Sequence, residues 1–169
     1  MSPVRYPFTE IHTGIFFFPT DKGTYYTIEV SNTSVRFSDN EILYNDGKIF
    51  EISFEKKGNE KGFDISTSET IIFIITNNFL SKGSESIFYF VCDTSERRGK
   101  SRARLFNLWF LKILKLIPLM VKVDFRIPGY NNEEFDISIF IHKNHPRFNE
   151  YIDQFGKSLD ENFNKLNLT

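Results

Sequence analysis

Val121, Val123, Phe125 and Ile127 alternate with Lys122, Asp124 and Arg126, and after Gly129–Asn132 the residues Phe135, Ile137, Ile139 and Ile141 repeat the period. Strict period two places one set of side chains on each face of a pleated strand, so each stretch reads as a half-buried strand. Two in succession across a turn read as an antiparallel pair that needs cover on its apolar face. The first half carries the same signals. Ile15–Pro19 and Thr24–Val30 flank Asp21-Lys22-Gly23, and Glu41–Tyr44 and Lys48–Phe54 flank Asn45-Asp46-Gly47, two hairpin patterns in which glycine takes the positive φ of the turn. Ile87–Cys92 is apolar on both faces and reads as a central strand.

Three helices supply the cover. Ser66-Thr67-Ser68-Glu69 reads as a capping box opening a helix to about residue 80. A second runs over about 98–117 and stops near Pro118, and a third runs from about Pro146 to 166 with Phe148, Tyr151, Ile152, Phe155, Leu159, Phe163 and Leu166 as its apolar stripe. The expectation is one α+β domain over residues 1–169, a mostly antiparallel sheet built from hairpins with three helices. A chain of 169 residues with 40% hydrophobic residues buries enough surface to fold without staples. One cysteine, Cys92, excludes a disulfide framework, and the N-terminus lacks the pattern of a signal peptide, so a cytoplasmic protein is expected.

Net charge is −1, but its distribution is uneven. Arg97 to Lys122 contains eight basic residues and no acidic one, which leaves a net −9 on the remainder. Projected at 100° per residue with Arg104 as origin, Arg97, Lys100, Ser101, Asn107, Lys112 and Lys115 fall within about 80° of it. Leu105, Phe106, Trp109, Phe110, Ile113, Leu114, Leu116 and Ile117 lie opposite, and Arg98 and Arg102 fall on that apolar side. Either the helix begins after Arg102 and both arginines sit on a loop, or they pair with Asp93 or Glu96, or they join the first helical turn in an anion site. The last reading makes Arg97, Arg98, Lys100, Arg102 and Arg104 an anion-binding cluster, because guanidinium groups and free helical N–H groups both favour phosphate or carboxylate.

Other chemistry is thinner. Gly99-Lys100-Ser101 lacks the leading glycine of a phosphate-binding loop, since Thr94 stands there. Cys92 with His12, His142 or His145 would make a thiolate nucleophile, but no local signature accompanies it. His142-x-x-His145 offers two metal ligands where zinc needs at least three, and no cofactor motif is present. Leu105–Val121 is short for a membrane span and carries Lys112 and Lys115; an interfacial helix on acidic lipid is the lesser alternative to a buried one. For a nucleic-acid partner, Phe106 and Trp109 point to the core, leaving Tyr25 or Phe140 on a strand face to stack bases.

Tyr89-Phe90-Val91-Cys92-Asp93, Arg97 with Arg102-Ala103-Arg104-Leu105-Phe106 and Trp109-Phe110, and Ile139 through Pro146 together resemble a family of small Bacteroidota proteins of unknown function, over Tyr6 to about Leu159. The resemblance implies a bacterial, single-domain, cytosolic protein and carries no catalytic residues. The leading expectation is a non-catalytic binding or regulatory protein that takes an anionic ligand, a nucleic-acid backbone or an acidic protein on its arginine-rich segment. The alternatives are a Cys92-dependent enzyme and an assembly subunit that docks a partner through a sheet edge or the Phe148–Leu166 helix.

Overall fold

The computed structural model describes residues 4–59, 61–93, 99–128 and 134–166. Seven strands form one sheet in the order β1-β2-β3-β4-β5-β7-β6. β1 (Thr9–His12), β2 (Ile15–Pro19), β3 (Tyr25–Asn32) and β4 (Ile49–Lys57) pair antiparallel in sequence order. β6 (Met120–Pro128) and β7 (Glu134–His142) pair as expected, and β7 also pairs antiparallel with β5 (Ile87–Asp93). Only β4 and β5 run parallel, and α2 (Ile65–Lys82) provides the crossover that such a pair requires. The fold is α+β, with α3 (Gly99–Leu116), α4 (Phe148–Leu166) and the short α1 (Glu41–Asp46) as the other helices.

One expected strand is a helix. Glu41–Tyr44 does not extend; it forms most of α1. Asn40 Oδ1 accepts the Leu43 N–H at 3.2 Å, capping the helix, and Asn40 Nδ2 also reaches Gln154 at 3.1 Å and Ser158 at 3.2 Å on α4. Gly47 does take a positive φ, 58°, but it follows the helix and does not close a hairpin. A glycine that permits a turn serves a helix stop equally well. Leu43 is fully buried against the second core, and that burial selects the helix.

The start of α2 is also set differently from the expected capping box. The cap is Asp64, whose Oδ1 accepts the Thr67 N–H at 2.6 Å while Oδ2 accepts the Tyr6 hydroxyl at 2.9 Å. Donation to the Asp64 carboxylate pushes the Tyr6 phenol up to about 12. The β-branched run Ile71–Ile75 stays helical because Ile71, Ile72, Ile74 and Ile75 are all buried. Gly23, by contrast, closes the β2–β3 turn as the spacing predicts, with φ 74°.

Helices cover both faces of the sheet. On one face α2 and α3 pack over Phe18, Tyr26, Ile28, Phe50, Phe88, Phe90 and Phe140. On the other, α1 and α4 pack over Ile49, Ile87, Tyr89, Ile137, Ile139 and Ile141. β5 is therefore covered on both sides. The parallel ladder is short: Ile49, Phe50 and Glu51 pair with Ile87, Phe88 and Tyr89, and it ends there. Beyond its end, Phe106 of α3 packs between Phe54 of β4 at 5.1 Å and Phe90 of β5 at 4.5 Å. Each such buried ring contributes about 2 kcal/mol by removal from water, so α3 is firmly seated and its orientation fixed.

Candidate functional site

α3 is seated by Phe106, Trp109, Phe110, Ile113 and Ile117, all buried, at the three- and four-residue spacing of one helical face. Phe110 packs against Phe140 with ring centroids 4.3 Å apart, and Trp109 is enclosed edge-on by Phe54, Phe63 and Phe106 at 5.1–5.7 Å. These contacts decide which side of α3 faces water.

The basic side does. Arg104, Asn107, Lys112 and Lys115 are exposed. Lys112 reaches across to Glu69 of α2 at 3.2 Å, whereas among the described residues Arg104 and Lys115 have no carboxylate partner. Lys122, the last cation of the segment, bonds Asp124 on its own strand. Of the expected anion cluster, Arg97 and Arg98 lie outside the described residues. Lys100 and Arg102 belong to the first turns of α3, and their side chains lie outside the described ones too. Because α3 begins at Gly99, Arg102 is a helical residue and not a loop residue. Asp93 and Glu96, the carboxylates weighed as partners, also have no described side chains.

Four leucines accompany these cations. Leu108 and Leu111 are each 55% exposed, Leu116 58% and Leu119, just past the helix end, 49%. On the helical projection Leu108 and Leu111 fall on either side of Arg104, about 40° and 20° away, inside the basic sector and not opposite it. The same projection that groups the cations contains this signal. Leu116, expected to face the core, is turned out as well. Leu119 adopts φ 70°, the one non-glycine positive φ among the described residues, at the turn where the chain leaves α3 for β6.

The remaining candidates are accounted for by packing. Cys92 is buried on the α2–α3 face and pairs with Asp136 of β7, six residues before His142, or roughly 20 Å at the rise of a strand. His12 is on β1, four strands away. His142 Nδ1 accepts the Asn144 N–H at 3.1 Å. His145 is buried, with Nδ1 accepting the Arg147 N–H at 3.1 Å and Nε2 3.2 Å from the Glu85 carbonyl oxygen, so both ring nitrogens are engaged. The geometry brings Cys92 to none of the histidines. Among the described residues no three His, Cys, Asp or Glu side chains gather as a metal site. Phe140, named as a base-stacking candidate, is fully buried; Tyr25 is exposed but stacks on Phe17 at 5.8 Å.

Two polar clusters lie elsewhere. Lys48, Glu85, His145, Pro146 and Arg147 line an open cleft of about 210 Å³. Its cations are spoken for: Lys48 bonds Glu85 and holds that carboxyl below its ordinary range, and Arg147 bonds Glu150 through both Nε and Nη2 at 2.6 Å. Where the parallel ladder ends, Arg36 bonds Glu51, and the Tyr89 hydroxyl lies 3.3 Å from both; burial pushes the Tyr89 phenol up. The apolar side of α4 is also occupied, since Tyr151 and Phe155 are buried against the sheet, and no helix among the described residues is long and apolar enough to cross a membrane.

No curated protein and no solved structure matches the chain. A model described as a family of unknown function, DUF6169, matches residues 63–157, which take in α2, β5, the whole of α3, the β6–β7 pair and the first half of α4. The match spans more than half of the sequence and includes the helix that carries the exposed cations and leucines: the chain belongs to the DUF6169 family.

Proposed function

We propose that this chain is a non-catalytic binding protein of the bacterial cytoplasm whose α3 surface recognises phosphate-bearing anions. The observation that carries the reading is the pair Arg104 and Lys115, exposed on a helix with no acidic residue and lacking any described carboxylate partner. A cation with no internal partner keeps its full attraction for an external anion. Arg97, Arg98, Lys100 and Arg102 precede Arg104 in the sequence and add four positive charges to the same segment. Catalysis by Cys92 is disfavoured by its separation from the histidines.

A short duplex oligonucleotide serves as a generic phosphate lattice for the test. Its affinity for the full chain is expected to fall steeply with salt, and Arg104→Ala with Lys115→Ala should lower the log–log salt slope by about 2. An affinity indifferent to salt, or a double variant that binds like the parent, overturns the reading.

A further inference from the structure

We infer that the outer face of α3 is a docking surface for an anionic lipid bilayer, with Leu108, Leu111, Leu116 and Leu119 entering the interface while Arg104 and Lys115 meet the headgroups. This assignment rests on the anion-binding reading above and names its ligand. The argument starts from placement. A single exposed leucine is ordinary on a protein surface; four about half exposed along one helix and its exit, within roughly 20 Å, form a cluster. Two of them sit between the cations, so any partner that satisfies one set meets the other.

Different ligands satisfy this pattern to different extents. A nucleic-acid backbone uses the cations but gives the leucines nothing, and the aromatic rings of α3 that would stack a base, Phe106 and Trp109, are buried. A second copy of the chain laid face to face would set Arg104 and Lys115, unpaired among the described residues, against an equally positive face. An anionic bilayer presents negative charge immediately above an apolar layer, in the same vertical order as the lysine and arginine heads and the leucine side chains. Glu69 does not oppose the approach, since Lys112 neutralises it, and Asp124 is bonded to Lys122. The net −9 outside residues 97–122 gives the remainder of the chain no attraction for such a surface. Leu119 adds a separate observation. A bulky side chain is held half exposed in a backbone conformation that usually selects glycine, at the exit of the helix that carries the other three leucines.

The test is co-sedimentation of the full chain with vesicles of phosphatidylcholine alone or with about one-third phosphatidylglycerol, beside the duplex and poly-L-glutamate. Leu108→Gln with Leu111→Gln is the variant, and emission from the buried Trp109 checks that it folds. Binding to the anionic vesicles but not the neutral ones, weakened about tenfold in the leucine variant while duplex affinity changes less than about twofold, supports the assignment. Duplex binding without vesicle binding, or vesicle binding that ignores the leucine changes, overturns the lipid assignment and leaves the anion reading standing. Binding to poly-L-glutamate in preference to vesicles overturns it in favour of an acidic protein. Failure to bind any of the probes overturns both.

Discussion

Helices α3 and α4 each lay an apolar side on the sheet, yet their outer sides handle charge in opposite ways. Around α4, Arg147 is clamped bidentately to Glu150 and Lys157 to Asp153, pairs three and four residues apart that lie side by side on a helix. α3 has no acidic residue with which to form such a pair. Its one described bridge goes to another helix, Lys112 to Glu69, and Arg104 and Lys115 are left facing solvent beside leucines. Both helices carry exposed cations, so a count of positive charge does not separate them. Local neutralisation does. Among the described residues, the basic groups around α4 are neutralised by carboxylates of the same helix, whereas Arg104 and Lys115 of α3 are not.

If the two helices are alike inwardly and unlike outwardly, the largest effect should come from their inner rings and be similar for both. Phe106→Ala on α3 and Phe155→Ala on α4 should each cost about 3–5 kcal/mol in urea denaturation, because each ring is buried among other aromatics and would leave a cavity. A cost under about 1 kcal/mol for Phe106→Ala would mean that α3 is not seated as described, and the assignment of its outer side would fall with it.

The outer side should separate the two. Arg147→Ala breaks a bidentate pair and should cost up to about 1 kcal/mol while leaving duplex binding intact. Arg104→Ala breaks no described pair and should change stability by less than about 0.5 kcal/mol while weakening duplex binding. Equal stability losses, with binding unaffected in both, would erase the distinction.

The smallest effect is one of pH. Arg147 donates to Glu150 and holds its carboxyl below the ordinary range. A carboxyl depressed in the folded state stabilises the fold above its unfolded pKa, and that contribution fades as pH falls through the folded value. Carboxyl titration followed by NMR should therefore show Glu150 moving up in Arg147→Ala. The proposed anion binding rests on Arg104 and Lys115, so duplex affinity should hold between pH 7 and about 5 while these acidic changes approach. A loss of duplex binding in that interval would count against a surface that rests on Arg104 and Lys115.

Much of the architecture is legible along the chain. The alternation at Val121–Ile127 and Phe135–Ile141 specifies β6 and β7, since period two suits no helix. All three long helices begin and end within two residues of where their stripes and stop signals place them. α1 was hidden for a physical reason: Asn45-Asp46-Gly47 is an equally good turn for a hairpin or a helix end, and the choice was made by Leu43 entering a core assembled from residues about a hundred positions later. The cap of α2 was hidden likewise, because Asp64 is held from the other side by Tyr6.

The candidate surface divides along the same line. That Arg97–Lys122 is uniformly basic is a property of the chain alone and survives any fold. Which side of that segment meets water is not, because leucine is compatible with core and surface alike. The choice followed from the rings of Phe54, Phe90 and Phe140, which lie on three separate strands and bind Phe106 and Phe110 beneath the helix. Once those contacts form, the 100° step per residue leaves Leu108 and Leu111 no route to the interior. Residue identity distributes charge in one dimension; long-range packing alone assigns a helix its inside and its outside.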